Sequence, residues 1–401
     1  MPIPVSPNPQ VNYLLVEAQP THPPARPIPL NFCMVLDRSG SMQGAKLAQL
    51  KAATHRLIDT LTPDDVVALV IFDDTVDVVI PAQPATDPQL LHNAVERIQE
   101  QGGTAMSLGL EAGQRELQKY ASPDRFGAML VLTDGQTWGD VDTCRFIAAA
   151  LGQAGIRITA LGLGEDWNEK LLDDLAEATQ GTSDYIAKPE QIGDFFQRAM
   201  QQVQGIAITE ARLLLRLVRD AVPRAVHRVV PKIANLGVAP MGAHEVSVKL
   251  GDLAHGVGGS VVIELMLPTR TTGSFRIAQA ELHYTPVGAS TQMLKQDVML
   301  DFVEHASDAH YIPQVMNTVE KVTAFKLQTR ALEEAEVGNI VGATQKLRAA
   351  ATRLLDLGEL ELANVSNQQA DELERGAGLN TQARKELRYA TRRLTQRLPD
   401  A

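Results

Sequence analysis

Two acidic residues stand directly after predicted buried strands, where a cation could bind between them. Asp37 follows the apolar run that ends at Leu36, in the sequence VLDRSGSM, and Asp134 lies just beyond the run that ends at Leu132, in LTDGQ. In an open α/β sheet, ligands bind beyond the carboxyl ends of the strands, where the strand order reverses. We therefore expect the two carboxylates to belong to one site.

Three hydroxyl side chains accompany these carboxylates. Ser39 and Ser41 alternate with Asp37, so an extended loop can turn all three side chains toward one point. Thr104 lies in GGTAMS, where two glycines permit an unusual loop just before a predicted helix. Oxygen donors without His or Cys favour Mg²⁺, Mn²⁺ or Ca²⁺ over zinc, and the small number of carboxylates favours octahedral Mg²⁺ or Mn²⁺. Such a set leaves a coordination position for a carboxylate from a partner.

The segment that must position these residues alternates strands with helices. Strands are predicted at 31–36, 66–72, 76–80, 128–132, 157–163 and 185–187. Helices are predicted at 47–61, 90–98, 106–120, 141–151, 171–179 and 192–203. This alternation predicts an α/β domain, a doubly wound and mostly parallel sheet with helices on both faces, at residues 29–204.

This segment resembles the von Willebrand factor A (VWA) family. The sequence DRSGS, which starts at Asp37, matches that family's metal-ion-dependent adhesion site, D-x-S-x-S. Thr104 matches its second-loop threonine, and Asp134, in TDG, matches its third-loop aspartate. The resemblance implies that Asp37, Ser39, Ser41, Thr104 and Asp134 hold a metal ion, directly or through water. It also implies that this metal binds an acidic side chain of a protein ligand.

The pattern changes after residue 204. Strands with period-two alternation or buried character are predicted at 208–218, 226–231, 245–250, 260–267, 275–284 and 293–302, which indicates a β-sandwich at 205–305. An isolated strand near Leu14 and a proline-rich linker precede the α/β domain. We expect this segment, residues 1–28, to complete the sandwich, so that the α/β domain is inserted into it. Helices at 311–335, 339–357, 359–374 and 381–398 predict a helical C-terminal region at 306–401.

The layout beyond residue 204 is similar to that of bacterial intracellular members of the family, in which a β-sandwich and a helical tail follow the A domain. The resemblance implies a scaffold beside an AAA+ ATPase, or beside protein kinases and phosphatases, and the residues select none of these partners. The last predicted helix carries six basic residues and one acidic residue. It could dock on an acidic partner, or face solvent or an acidic surface of its own chain.

Composition narrows the functional classes further. The 401-residue chain has a net charge of −11, so nucleic acid and anionic lipid should repel it. Its first residues, MPIPVSPNPQ, show no secretory signal, and its longest apolar runs are too short to span a bilayer. The two cysteines, Cys33 and Cys144, are far apart, which excludes a disulfide framework and favours core thiols. We expect a cytoplasmic protein without membrane contact.

Three further interpretations compete with the adhesion-site hypothesis. A phosphatase of the haloacid dehalogenase type also has an Asp after its first strand, but its second carboxylate is replaced here by Ser39, which cannot act as the general acid. GSMQGAK lacks the spacing and the final Ser or Thr of a P-loop. We therefore expect no enzyme. A purely structural scaffold, with partners on the sandwich and helical region, stays open. Asp73 and Asp74, at the end of the second strand, are expected to form a solvated turn, and a contact at the rim of the site stays open as the alternative.

Overall fold

The computed structural model describes residues 2–24, 27–237, 241–242, 244–305, 307, 310–376, 378 and 380–396. The chain divides into two compact units. The inserted unit is Arg26–Gly205, and the flanking unit combines Met1–Ala25 with Ile206–Ala401. The predicted sandwich and helical region belong to one compact unit, so the finer boundary at residue 305 stays a prediction.

Strands and helices follow one another through both units. The strands are β1 Pro2–Pro4, β2 Gln10–Ala18, β3 Leu30–Asp37, β4 Val66–Phe72, β5 Val76–Pro84, β6 Phe126–Thr133, β7 Arg157–Leu163, β8 Thr182–Ile186, β9 Ile206–Leu217, β10 Val222–Val230, β11 Ala234–Asn235, β12 Glu245–Ala254, β13 Gly259–Leu267, β14 Gly273–Pro286 and β15 Gln292–Val303. The helices are α1 Ala45–Ile58, α2 Pro88–Glu96, α3 Met106–Gln118, α4 Val141–Gln153, α5 Glu169–Ala178, α6 Ile192–Gln204, α7 Pro313–Glu336, α8 Ile340–Asp356, α9 Leu360–Glu374 and α10 Thr381–Arg392.

The inserted unit is built on one six-stranded sheet in the order β5-β4-β3-β6-β7-β8. Every residue of β3 and β4 is buried, as expected for apolar central strands that helices cover on both faces. β4 and β5 lie on one side of β3 and the other strands on its second side, so the strand order reverses between β3 and β6. Asp37 ends β3 and Asp134 directly follows β6. The fold therefore brings both carboxylates to the position where such sheets bind ligands.

The edge strand β5 differs from its prediction. It was expected to end at Ile80, before Pro81, yet it continues to Pro84 and pairs antiparallel with β4, with register shifts around Leu69. Proline lacks a backbone N–H, and an edge strand leaves one side of its ladder unpaired, so β5 can contain Pro81 without a lost sheet bond.

Helix α3 lies close against the central strands because it has glycine where it crosses them. A Cβ atom at Gly109 would lie 2.7 Å from Phe72 Cδ1 and 2.9 Å from Val35 Cγ1. Only glycine permits this separation without a shift of the helix. The close approach fixes the N-terminal end of α3, and with it the loop that carries Thr104.

The flanking unit contains a β-sandwich of two sheets, in the orders β1-β15-β14-β9-β12 and β11-β10-β13-β2. The predicted orphan strand is β2, which pairs antiparallel with β13, so that Leu14 lies opposite Ile263. Strand β1, which pairs parallel with β15, was missed because three residues with two prolines give no strand pattern. Apolar side chains from both sheets form the core, among them Ile3, Leu213, Val248, Ile263 and Phe302.

Four helices complete the described part of the flanking unit. Val319, Val322 and Phe325 of α7 pack against Val229 and Val262 of the sandwich. The remaining helices pack through a second core that contains Ala331, Leu347 and Leu387. None of the described helices is both long and apolar enough to span a bilayer.

The last helix is shorter than predicted. α10 ends at Arg392 rather than residue 398, because the chain turns there to bond with the sandwich: Ile233 N donates to Arg392 O at 2.9 Å, and Thr395 Oγ1 donates to Val229 O at 2.5 Å. Residues 397–401 of the predicted region lie outside the described residues. Part of the basic character of α10 faces its own chain, since Arg384 pairs with Glu336 at 3.7 Å.

Both cysteines occupy apolar surroundings, as expected for core thiols. Cys33 in β3 and Cys144 in α4 are free and buried. Burial raises the pKa of the Cys33 thiol far above its usual value and that of Cys144 to about 12. Neither thiol is therefore a thiolate near neutral pH, which is the form that a nucleophile requires.

Candidate metal centre at the strand ends

Asp37 is fully buried at the end of β3 and accepts two local hydrogen bonds. Ser39 N donates to Oδ1 at 2.8 Å, and Thr133 Oγ1 donates to Oδ2 at 2.6 Å. Burial raises the pKa of this carboxyl to about 6, against the lowering effect of the bonds from Ser39 and Thr133. The Coulomb field of Asp134 raises it further. A cation beside the two carboxylates would reverse the effect of both burial and repulsion.

Asp134 is buried as well and joins the two serines of the first loop. Ser41 Oγ donates to Asp134 Oδ1 at 2.7 Å, and the Oγ atoms of Ser39 and Ser41 lie 3.0 Å apart. Ser39 Oγ is 3.5 Å from the same carboxylate oxygen. The structure thus brings four of the five sequence-predicted residues into one hydrogen-bonded group.

The fifth residue, Thr104, lies beside the third loop. Its Oγ1 is 3.1 Å from the position that a Cβ atom on Gly135 would occupy, so a larger residue there would crowd the hydroxyl. We call Asp37, Ser39, Ser41, Thr104 and Asp134 together the polar crown. All its donors are carboxylate or hydroxyl oxygens, the ligand type that hard divalent cations prefer.

Backbone hydrogen bonds connect the loops that carry the polar crown. Gly40 N donates to Gly102 O at 3.1 Å, and Gln101 N donates to Arg38 O at 2.9 Å, which joins the first loop to the second. Ala105 N donates to Asp73 O at 2.7 Å, which ties the second loop to the end of β4. The donors are therefore held by the strand ends and by direct bonds between loops, an arrangement suited to fixed coordination.

Arg38 and Asp73 form a buried ion pair beneath the first loop. Arg38 Nε lies 2.5 Å from Asp73 Oδ2, and its Nη2 lies 2.6 Å from Asp77 Oδ2. Although burial alone raises the pKa of Asp73, the hydrogen bonds from Thr75 and Arg38 hold it below its ordinary value. The expectation of a solvated turn was wrong for Asp73, because the charge of Arg38 draws it inward.

Sequence reasoning missed Lys46, the second residue of α1. Its Nζ forms an ion pair with Asp134 Oδ2, so an ammonium group supplies positive charge at the polar crown. In the sequence, Lys46 is the lysine of GSMQGAK, the segment that lacks the spacing and the final Ser or Thr of a P-loop. Its spacing, nine positions after Asp37, is the signal that could have found it, since the N-terminal turn of α1 follows the first loop so closely.

Trp138 was missed too, and it is 84% exposed on the loop that follows Asp134. That loop is anchored on both sides of it, because Met106 N donates to Thr137 Oγ1 at 3.1 Å and Ser107 N donates to Asp140 Oδ2 at 2.8 Å. An indole on an anchored loop beside polar groups is typical of a contact residue in protein interfaces.

Across the described residues, no group of three or more His, Cys, Asp or Glu side chains is arranged to hold a metal ion. The polar crown contains two carboxylates, and its other donors are hydroxyls. The donor set therefore fits a hard cation whose coordination is completed by water or by an external carboxylate, and it does not fit a closed structural site.

Comparison with protein families matches two segments of the chain. The von Willebrand factor type A domain matches residues 31–198, and the Sll0103-like, C-terminal alpha-helical domain matches residues 313–397. A relative, the uncharacterised protein sll0103 of Synechocystis, is 30% identical over 377 residues, which cover 92% of this chain and 89% of the relative. The chain belongs to the VWA family. The predicted fold class, a VWA-type α/β domain with a helical C-terminal region, is confirmed.

Other proteins match part of this chain or share its whole fold. Bovine inter-alpha-trypsin inhibitor heavy chain H1 is 28% identical over 208 residues, 48% of this chain but only 22% of that protein. A VWA protein from Catenulispora acidiphila matches 96% of this chain and 97% of its own, with a TM-score of 0.74 and 20% identity. The ArnB paralog VWA2 from Sulfolobus acidocaldarius matches 97% and 94%, with a TM-score of 0.56 and 14% identity. These structures share the fold.

Proposed function

We propose that this protein is a metal-dependent protein-interaction module. Asp37, Ser39, Ser41, Thr104 and Asp134 hold Mg²⁺ or Mn²⁺, directly or through water, and an Asp or Glu of a partner protein supplies the last oxygen. The observation that carries the proposal is the convergence of two buried carboxylates and three hydroxyls where the strand order reverses.

The residues of the polar crown have separable tasks in this proposal. Thr133 and the Ser39 backbone hold the Asp37 carboxylate in one orientation, so it does not reorganise when a cation enters. Asp134 exchanges its contact with Lys46 for one with the cation. The metal supplies the positive charge that lets an acidic protein, with a net charge of −11, bind an acidic side chain.

The partner's acidic residue is expected to be flanked by an apolar or aromatic side chain. Trp138 offers a large exposed ring on the loop that follows Asp134, and buried aromatic anchors commonly supply much of the affinity of an interface. The metal would thus recognise the carboxylate, and the indole would distinguish the surrounding sequence.

The proposed setting is a cytoplasmic bacterial assembly that includes an AAA+ ATPase or a protein kinase or phosphatase. It is supported by the resemblance in layout to bacterial intracellular VWA proteins and by the Synechocystis relative, which aligns along nearly the whole chain. In this setting the protein has no catalytic task, and its helical region connects the metal-binding unit to the assembly.

Binding of the metal itself is the first test. Purified full-length protein is titrated with Mg²⁺ by calorimetry and with Mn²⁺ by electron paramagnetic resonance (EPR). We expect one site in the wild type, no binding in Asp37→Ala, and unchanged binding in Asp124→Ala, whose residue is an exposed loop acid. Equal binding by the wild type and Asp37→Ala would refute the proposed ligand set.

Partner capture is the second test. A candidate partner is incubated with the protein in Mg²⁺, in chelator, and with the Asp37→Ala variant. We expect capture only by the wild type in Mg²⁺. Capture of equal strength under all three conditions would refute the proposal that a metal ion joins the protein to its partner, whatever the titration shows.

A second candidate function is a metal-independent scaffold that binds partners through the flanking unit. It is favoured by exposed apolar side chains that are grouped around the turn from α7 to α8, namely Val337, Ile340 and Val341. Isolated exposed apolar residues are common, whereas a cluster of them often marks an interaction surface. Capture that survives chelator but fails in Val341→Glu would favour this second function.

A further inference from the structure

Helices α1 and α2 carry a pair of histidines that has no part in the proposed adhesion site. His55 of α1 and His92 of α2 face each other, with their Nδ1 atoms 2.7 Å apart. His55 Nε2 lies 2.7 Å from Glu96 Oε1, and His92 Nε2 lies 2.9 Å from Asp59 Oδ1. The four side chains form a continuous chain of contacts, Glu96–His55–His92–Asp59.

The arrangement is crossed and nearly symmetric. Each histidine has an acidic residue four positions later, and each pairs with the acid that belongs to the other helix segment. Lys51 Nζ also donates to Glu96 O at 2.9 Å, so α1 and the end of α2 are held together beside the pair. The two imidazoles are therefore placed by packing and by second contacts, and not by their mutual contact alone.

The hydrogen-bond roles of the four ring nitrogens leave room for one cation, a proton or a metal ion, between the two rings. A carboxylate only accepts hydrogen bonds, so each Nε2 must carry a hydrogen. Of the two Nδ1 atoms, one must then donate and the other accept, which places one shared proton, and one positive charge, on the ring pair. Without that proton, two nitrogen lone pairs would face each other at 2.7 Å.

A transition-metal ion can replace this proton. Metal-binding histidines commonly donate their second ring N–H to a carboxylate, the role that Glu96 and Asp59 already fill here. Bonds of about 2.0–2.1 Å from a metal to two imidazole nitrogens place those nitrogens roughly 3 Å apart. The ring centroids lie 4.8 Å apart, so the two Nδ1 atoms point almost directly at each other. To bind one ion, the Nδ1 atoms must separate by a few tenths of an ångström and both rings must rotate so that their lone pairs converge on it.

We propose that His55 and His92 form a two-histidine site for a borderline transition-metal ion, Zn²⁺, Cu²⁺ or Ni²⁺, which links α1 to α2. Their Nδ1 atoms bind the ion, Glu96 and Asp59 fix the rings, and water completes the coordination. Imidazole donors select these ions, whereas the oxygen donors of the polar crown select Mg²⁺ or Mn²⁺. The imidazoles are 23% and 22% exposed, so the pair lies at the surface of the unit and not in its core.

The site is tested by titration of the full-length protein with Cu²⁺ in excess Mg²⁺, so that the polar crown is already filled. We expect one equivalent of Cu²⁺ whose EPR spectrum shows coupling to two imidazole nitrogens. His55→Gln and His92→Gln should each remove this signal. Glu96→Gln should keep it but weaken binding about tenfold or more, as for other carboxylates that support a metal-bound histidine.

A stability measurement supplies a second readout. Zn²⁺ should raise the melting temperature of the wild type and of His255→Gln, a control histidine in the flanking unit, but not that of His92→Gln. Circular dichroism checks that each variant is folded, and either histidine variant suffices. Equal Cu²⁺ binding by wild type and both histidine variants, or no stoichiometric binding by the wild type, would overturn the proposal and leave a shared proton only.

Discussion

The two units of the molecule differ in how completely their buried polar side chains are hydrogen-bonded. In the inserted unit, the buried carboxylates of the polar crown accept hydrogen bonds or an ion pair. In the flanking unit, His227 is 4% exposed within β10, and its Nε2 has no hydrogen-bond partner among the described residues. Two further buried atoms, Ser260 Oγ on the paired strand β13 and Thr344 Oγ1 on α8, also have no hydrogen-bond partner among the described residues.

Asp134 and His227 illustrate this difference, because Asp134 has a charged partner and the Nε2 atom of His227 has no hydrogen-bond partner among the described residues. Asp134 of the polar crown is paired with the ammonium of Lys46, which in the proposed function gives way to a metal ion. His227 has no such neighbour to exchange. Burial, and to a lesser extent the charge of Lys326, lowers the pKa of its ring to about 4. The sandwich therefore accepts this ring only in its neutral form.

Removal of Arg38 should give the largest effect, because it removes the cation that is paired with the buried carboxylate of Asp73 in the inserted unit. Arg38→Met leaves Asp73 buried with an unpaired negative charge, so the free energy of unfolding should fall by about 3–5 kcal/mol. Urea denaturation measures the loss. Arg115→Met, which removes an exposed arginine 3.9 Å from Glu111, should cost less than about 1 kcal/mol. Similar losses in both variants would contradict the role of burial.

The burial of His227 should make the free energy of unfolding sensitive to acid. Above pH 6.5 the ring is neutral in the folded and unfolded chains. As the pH falls from 6.5 to about 4, the unfolded chain takes up a proton that the folded chain excludes, so the free energy of unfolding falls by about 3 kcal/mol in total.

His227→Leu should remove this component of the acid sensitivity. Urea denaturation at pH 7 and pH 4.5 gives the loss for each protein, and the difference between the wild type and the variant isolates His227. His255→Leu, at a partly exposed histidine of the same unit, serves as the control and should leave the difference intact. An identical loss in the wild type and His227→Leu would show that the ring does not resist protonation.

Removal of Lys46 should increase the affinity for Mg²⁺ if this lysine and the cation compete for Asp134. Lys46→Met deletes the ammonium that competes for Asp134, and Mg²⁺ affinity should rise about fivefold, which corresponds to the ~1 kcal/mol of a partly exposed ion pair. Calorimetric titration measures the change. Lys51→Met, at a lysine of the same helix that bonds to Glu96 O, should bind Mg²⁺ like the wild type. Weaker binding by Lys46→Met would mean that the lysine organises the site.

Removal of Trp138 should have the smallest effect on the molecule alone. Trp138→Ala changes a side chain that is almost entirely in solvent, so the free energy of unfolding and the Mg²⁺ affinity should stay within about 0.5 kcal/mol of the wild type. Partner capture in Mg²⁺ should nevertheless weaken. Undiminished capture would show that Trp138 does not contribute to partner binding, so that only the polar crown would be assigned to the interface.

The parts of the site that sequence predicted are those with local signals. Asp37 and Asp134 could be found because each follows an apolar strand, and the reversal of strand order brings strand ends together. The serines could be found because they alternate with Asp37. The alternation of strands and helices is also a local signal, and it predicted the α/β sheet.

The parts that sequence did not predict depend on contacts between distant segments. The pairing of Arg38 with Asp73 requires the relative position of two strand ends, and no pattern around Asp73 distinguishes it from a solvated turn. His55 and His92 lie on separate helices, and their approach depends on how those helices pack. A local pattern indicates which face of a helix is apolar, but it does not indicate which residue of another helix that face will meet.

The pairing of β2 with β13 fixes an order of events during synthesis on the ribosome. Leu14 emerges about 250 residues before its neighbour Ile263, a wait of roughly 12–50 seconds at ordinary elongation rates. The whole inserted unit is synthesised in that interval, and its strands find their partners within it. The inserted unit can therefore be complete while β2 is still an unpaired strand, the state in which nascent chains are most prone to pair with the wrong partner.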